Sequence, residues 1–471
     1  MTVTTDSPRA VFDRLNKTSR PTRTSMLFDT ACVLGGSIAG LLAARVLSDH
    51  ARRVLIIERD VVNTEGQARA GVPQDRQGHA LLPGGRAQIE RWLPGFTCEA
   101  QDSGGVLVRP DQQAVYLDGI AQMPNRTTSI LAGTRPFLES RIRSRVLDLP
   151  NVTSVSAHAT GITFRDDAVH SVRYATGREE QAIDVDFVVD AMGRSSRLSD
   201  WVERAGFQRP LLQRLRSGIN HSTALFDRPQ DPDVLPLASG LARYTKRPAG
   251  IALAATVAVE AGQWLVMLTS YEPDRPPTSI DCFRSTCAAL SPIFGHAVKG
   301  TVTRGIETYR QADSRRRDYT GLERFPARLV SVGDAVASFN PIYGQGMSSA
   351  ALHASCLSEY LLNTPQLRRA ANEFFDLQAV VTDAAWTMSA GGDAARLDAI
   401  EGVDVPDDVA HDRWTLEQVA QATRVDQSIA DAFGDVVFML AHPATLTDSA
   451  LVERAIAVNR SGTMGREMGI S

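Results

Sequence analysis

Between Phe28 and Glu58 two apolar runs flank one helical stripe. Phe28-Asp29-Thr30-Ala31-Cys32-Val33-Leu34 reads as a short strand entering a glycine turn. Over residues 37–48, Ile38, Leu41, Leu42, Arg45 and Val46 recur at helical spacing. Val54-Leu55-Ile56-Ile57 is then a continuous apolar run closed by Glu58, the pattern of a buried parallel strand. Together they make one β-α-β unit of about the ~30 residues such a unit needs.

Further along, residues 136–149 predict a helix. Residues 152–189 alternate apolar and polar positions around turn signals at Asp166-Asp167 and Thr176-Gly177, predicting antiparallel strands that lead into Val188-Val189-Asp190. Residues 222–226, 251–259 and 264–269 predict more strands, the last two joined at Gly262-Gln263. Leu329-Val330-Ser331-Val332 is another apolar strand, followed by Gly333-Asp334, and after Gly344 the pattern stays helical, with breaks near Gly391-Gly392 and Pro406. The order is α/β, mixed β, a return to an α/β strand, then α. It predicts an α/β chain: a discontinuous Rossmann-like domain (27–105, 130–200, 325–365) with an inserted mixed β-sheet substrate domain (106–129, 201–324) and C-terminal helices (366–471).

Composition narrows the function. The 471 residues are 43% apolar and 22% charged, which excludes a disordered, collagen-like or coiled-coil chain. A net charge of −4 offers no field for nucleic acid or an anionic membrane. Five scattered cysteines form no disulfide framework, and Cys282 and Cys287 have no matching second pair for zinc. No H-x-x-x-H pair occurs, so no metal site is expected. Gly35-Gly36-Ser37-Ile38-Ala39 fails the G-x-S-x-G pattern of a hydrolase nucleophile at its last position. Residues 1–26 lack the apolar core of a signal peptide and read as a disordered tail. The longest apolar run, 251–259, is too short for a membrane span. A soluble, cytoplasmic protein is expected.

Gly35-Gly36-Ser37-Ile38-Ala39-Gly40 fits G-x-G-x-x-G with Ser37 at the middle glycine. Gly35 serves the tight turn, Gly40 the close packing of helix on strand, and the helix start at Ser37 and Ile38 offers free N–H groups to a diphosphate. Glu58, followed by Arg59, lies 23 residues after Gly35, where a carboxylate accepts ribose hydroxyls and disfavours a 2′-phosphate. The elements together point to a dinucleotide site, with FAD and NAD both open on this motif alone.

The segment Gly333-Asp334, then Pro341-Ile342-Tyr343-Gly344-Gln345-Gly346-Met347, resembles the G-D…P-x-x-G-x-G motif of FAD-dependent monooxygenases of the para-hydroxybenzoate hydroxylase fold. That resemblance implies FAD, with Asp334 on the ribityl chain and backbone near Pro341 and at Gly344, Gly346 and Met347 by the flavin ring, where the flavin-facing catalytic donors are expected. Arg69-Ala70-Gly71-Val72 and Thr134-Arg135-Pro136-Phe137-Leu138-Glu139 resemble the family segments whose arginines lie beside the FAD, implying roles for Arg69 and Arg135. More narrowly, Gly71-Val72-Pro73-Gln74 with His79, Asp190-Ala191-Met192-Gly193-Arg194-Ser195-Ser196-Arg197 and residues 339–347 are similar to actinobacterial epoxidases of polyether-antibiotic pathways.

The resemblance implies an oxygen atom from O₂ delivered by a flavin C4a-hydroperoxide to an apolar small molecule, with alkene epoxidation in polyketide-like biosynthesis ahead of aromatic hydroxylation. No side chain announces itself as a phenol-deprotonating base. Gly193 falls two residues late for the Asp-Gly pair of many hydroxylases, so the electron donor is either NAD(P)H directly or a separate flavin reductase. A geranylgeranyl-reductase-type alkene reductase is the alternative, although residues 262–268 lack the Pro-Lys of its motif. A halogenase and a turnover-free scaffold are disfavoured. Trp264 and Tyr343 are candidate substrate-wall residues. His79 and His353 are candidate acid–base groups, with a satisfied structural histidine the commoner reading of each.

Overall fold

The computed structural model describes residues 6–467, apart from 62–65, 70, 73, 230, 232, 243–249 and 364, with side chains to residue 461. The α/β, mixed β, α architecture is as the pattern predicts. A five-stranded parallel sheet runs Leu329–Ser331, Phe187–Asp190, Phe28–Leu34, Ala51–Glu58, Val152–Ser156. Its central strands are buried on both faces, which is why they read as unbroken apolar runs. The edge strand Val152–Ser156 pairs parallel with Ala51–Glu58, so the antiparallel reading holds only from His158 onward. Strands His158–Arg165, Ala168–Thr176 and Glu179–Asp184 form a separate antiparallel sheet. Its first turn places Asp166 and Asp167 at φ 53° and 58°, a conformation that short polar side chains tolerate.

The second large sheet has eight strands, in the order Ala337–Ser338, Val302–Asp318, Leu211–Asp227, Gln263–Tyr271, Leu253–Val259, Leu237–Leu241, Gln113–Leu117, Ile120–Gln122. Both of its faces are covered, and they differ. Phe226, Trp264, Val266 and Leu268 face the helices Ile280–Ala288 and Pro292–Ala297, packing on Phe283 and Phe294. Leu225, Leu253, Val257, Leu265 and Met267 face the other way, where Ile342 and Phe438 pack on them. The hairpin joining Leu253–Val259 to Gln263–Tyr271 turns through Ala261 and Gly262, both at positive φ.

Two expectations change here. The N-terminal segment is not all tail: Pro8–Lys17 is a helix, capped by Ser7, with Phe12 and Leu15 buried against the main core. Its basic residues suggest a solvated tail, yet Phe12 and Leu15 share one helix face and that face decides. Arg14 and Arg9 then tie it to Glu359 and Asp448. Second, Gly391-Gly392 breaks nothing. Asn372–Glu401 is a single 30-residue helix. A Cβ on Gly392 would lie 1.9 Å from the Tyr343 hydroxyl, so this glycine admits a close neighbour instead of ending the helix. Pro406 does mark a break, preceding the helix Asp407–Ala422. No helix among the described residues is long and apolar enough to cross a membrane.

Candidate functional site

At the glycine turn the backbone leaves no room for side chains. Gly35 has φ +105°, and a Cβ there would lie 2.4 Å from the Ala191 carbonyl oxygen. A Cβ on Gly40 would lie 1.9 Å from the Gly35 oxygen, so helix Ile38–Leu47 packs directly on the turn. Ser37 occupies the N-cap of that helix but makes no capping bond. Its hydroxyl donates instead to Glu139 Oε2 at 2.6 Å and accepts from Arg135 Nη2 at 3.1 Å. The first-turn N–H groups therefore keep their partial positive charge for an outside anion.

Glu58, at the end of its strand, accepts the Gly36 N–H at 2.7 Å and the Asp60 N–H at 3.0 Å. Arg59 donates to the Gly71 carbonyl at 2.9 Å, and Asp60 accepts the Gly71 N–H at 3.0 Å, which straps the following loop to the strand end. Ala70 and Pro73, quoted with that loop, lie outside the described residues.

Around the turn lies a web of opposite charges. Arg69, 7% exposed, sits 3.4 Å from Glu58 and 3.5 Å from Asp60 and pairs with Glu139. Arg143 lies 2.8 Å from Glu139 and donates to the Gly36 carbonyl. Arg135 Nε lies 3.1 Å from Asp75. Glu139 is the hub: burial opposes its charge, but Arg69, Arg135 and Arg143 outweigh burial and hold its carboxyl below the usual range. For Asp75 the balance is opposite. Burial pushes it up to about 6 despite Arg135. Glu139, Asp75 and Arg143 have no role assigned to them by the sequence motifs. The available signal is Arg135, Glu139 and Arg143 at i, i+4 and i+8, one face of helix Arg135–Leu147.

The second motif packs on the first. A Cβ on Gly333 (φ +62°) would lie 2.6 Å from Ala39 Cβ. The Gly333 N–H donates to His353 Nδ1 at 2.9 Å. Burial lowers the His353 pKa to about 3, so this ring is a neutral acceptor bracing the turn, the structural role. Asp334 has no hydrogen-bonded partner among the described residues. Burial raises its pKa, while Arg135 and Arg194 pull it down. The fully buried Asn340 donates to the Tyr271 hydroxyl at 3.0 Å and Asp393 at 2.9 Å, and accepts from the Ile342 N–H at 3.0 Å. These bonds set the turn Pro341–Tyr343; Gly344 follows at φ +67°, and helix Gly346–Leu362 begins with no side-chain cap. Met347 is buried at its first turn, while open space surrounds Gly346.

The substrate-wall candidates fare differently. Trp264 lies on the far side of the sheet, packed with Phe226 and Phe294 beneath Arg228. It belongs to the helix-covered core, because its position in the two-residue alternation points it away from Ile342. Tyr343 is on the Pro341–Gly344 loop, with its hydroxyl directed at Gly392. His79 is beside the sheet's other face; its Nδ1 lies 3.0 Å from the Gln77 carbonyl, and burial lowers its pKa to about 3.

Residues 29–371 match the family described as FAD binding domain. The chain belongs to that family. It is also similar to Protein Rv3254 of Mycobacterium tuberculosis, 33% identical over 383 residues spanning 78% of this chain and 80% of the relative. Among solved structures the fold is shared with flavin-dependent brominase Bmp2 (14% identity, TM-score 0.62, covering 93% of this chain and 100% of that one). It is shared too with p-nitrophenol 4-monooxygenase PnpA of Pseudomonas putida (16%, 0.59, 91% and 98%). A third is PqsL of Pseudomonas aeruginosa in complex with 2-aminobenzoylacetate (18%, 0.60, 79% and 96%). The residues of this FAD-binding chain fit its cofactor: an uncapped helix start for the diphosphate, a carboxylate at the second strand's end, and Asp334, without a hydrogen-bond partner among the described residues, beside a second uncapped helix.

Proposed function

We propose that this chain is an FAD-dependent monooxygenase that adds one oxygen atom from O₂ to an apolar small molecule, epoxidising an alkene in natural-product biosynthesis. The observation that carries the reading is the apolar sheet face, Leu225, Leu253, Val257, Leu265 and Met267, set against Ile342 of the Pro341–Tyr343 turn. That face suits an apolar substrate and excludes water.

Bound FAD supplies the redox chemistry with O₂. The chain holds it. Glu58 takes ribose hydroxyls; the N–H groups at Ile38 and Gly40, with Ser37, Arg69 and Arg135, take the diphosphate; Asp334 takes the polyol. Backbone at Pro341, Gly344, Gly346 and Met347, at the start of helix Gly346–Leu362, would meet the flavin. Epoxidation is favoured over phenol hydroxylation because burial lowers the pKa of His79 to about 3 and that of His221 to about 4, which leaves both rings weak bases for a phenol proton. Electrons come from NAD(P)H directly or through a partner flavin reductase.

The test is incubation of the FAD-loaded protein with O₂, NADPH or a flavin reductase, and a panel of polyenes and phenols. A polyene product heavier by one oxygen is expected. Oxygenated phenols alone move the reading to hydroxylation, and a gain of two hydrogens moves it to an alkene reductase. A protein that stays colourless with added FAD removes all three.

A further inference from the structure

On the sheet face that meets Ile342, one row is polar at all three of its positions. Strand pairing sets Tyr309, His221 and Thr269 directly side by side across three strands. His221 is 2% exposed. Its Nδ1 lies 2.7 Å from the Thr269 hydroxyl, and its ring lies parallel to Tyr309, centroids 6.1 Å apart. Its Nε2 is buried and has no hydrogen-bond partner among the described residues. A buried polar atom left so costs roughly 1–3 kcal/mol, a cost that a ligand removes when it satisfies the atom.

The surroundings locate that atom at the site. Residues 77–79 lie over the same rows. Thr223, two positions along from His221, donates to Gln77 at 2.8 Å, and a Cβ on Gly78 would touch Met267. A carbonyl oxygen only accepts, so His79 carries its proton on Nδ1, donates to Gln77 and leaves Nε2 as a lone pair. Tyr309 on the other flank lies within electrostatic reach of Asp334, Arg135 and Arg194, the cofactor side of the site. The adjacent rows are mixed, Gln311, Ile219 and Tyr271 on one side and Glu307, Thr223 and Met267 on the other, and beyond Thr223 the face turns apolar at Leu225 and Leu265.

We infer that His221 is a specificity residue: its Nε2 hydrogen-bonds a neutral hydroxyl on an otherwise apolar substrate, anchoring the molecule against the sheet. A hydroxyl both donates and accepts, so it satisfies Nε2 whichever way the Thr269 hydroxyl is turned, and where Nε2 donates, the hydroxyl proton is left for the His79 lone pair. The inference rests on the small-molecule reading of this face above, and goes further by naming the group that is recognised.

The probes are 9-decen-1-ol and 1-decene, which share a terminal alkene and differ by the hydroxyl, titrated into the FAD-loaded full chain while the flavin absorbance spectrum is followed. The alcohol should bind about tenfold more tightly. His221→Leu should bring the ratio near one with decene affinity kept, and His221→Gln, similar in polarity, should lower it about threefold. Equal binding of the two probes, no binding of the alcohol, or an unchanged ratio in the His221→Gln protein overturns the inference. If His221→Leu does not hold flavin, His221→Gln decides. A tenfold ratio without oxygenated products supports the hydroxyl anchor while rejecting the monooxygenase reading.

Discussion

The glycine-turn web and the inner face of the eight-stranded sheet are built in opposite ways. The web is charged and heavily connected: Glu139 alone engages Ser37, Arg69 and Arg143. The sheet face is mostly uncharged, and one buried imidazole nitrogen there has no hydrogen-bond partner among the described residues. A site for a charged cofactor must hold its arginines in place before the phosphates arrive, and buried arginines need carboxylates for that. A site for an apolar substrate needs shape and a single directional contact. Charge density thus separates the two regions.

Removing the hub should break this contrast hardest. Glu139→Gln leaves Arg69, Arg135 and Arg143 facing a neutral amide, and a loss of about 3–5 kcal/mol is expected by urea unfolding, with flavin content falling in parallel. An unchanged midpoint would show that the arginines rearrange freely. Asp75 gives the next largest effect. Its folded pKa is raised from 3.8 to about 6, so its stabilising contribution is complete below about pH 3.8 and lost as pH rises through about 6. Wild-type stability should decline by roughly 2–3 kcal/mol from this group across that window, and Asp75→Asn should flatten the decline. Unfolding curves at pH 4, 5, 6 and 7 check the slope. Gly40→Ala sets a methyl 1.9 Å from the Gly35 oxygen, a backbone atom that cannot step aside. A cost of about 1–3 kcal/mol and a weakened FAD affinity should follow, read from flavin retained after dialysis. Smallest is Trp264→Phe. Trp264 Nε1 has no partner among the described residues and the ring lies on the helix side, so about 1 kcal/mol of stability should go while the alcohol-to-alkene preference stays as in wild type. A changed preference would mean that the two sheet faces communicate.

Much of the cofactor half is legible along the chain, because its determinants are local. Gly35, Ser37, Gly40 and Glu58 sit within one β-α-β unit whose spacing is set by turn and helix geometry, and Gly333-Asp334 follows its own strand. Glu139, Asp75 and Arg143 are harder to find: a carboxylate four residues from an arginine reads as a surface pair until the turn at Gly36 closes over it. Trp264 shows the reverse. Its strand is readable, but the face that its side chain takes depends on which layers the finished sheet meets. Gly392 likewise reads as a helix breaker until Tyr343 arrives from about fifty residues away.

By itself, then, the order of residues determines the parallel sheet, the phosphate turn, the acid at each strand end and the inserted second sheet, since these follow from period, turn chemistry and short spacings. Which buried polar atom stays unsatisfied is decided by tertiary structure alone. His221 and Thr269 are 48 positions apart, and Tyr309 is 88 from His221. Only strand register brings them into one row, and only the folded chain lays residues 77–79 over it.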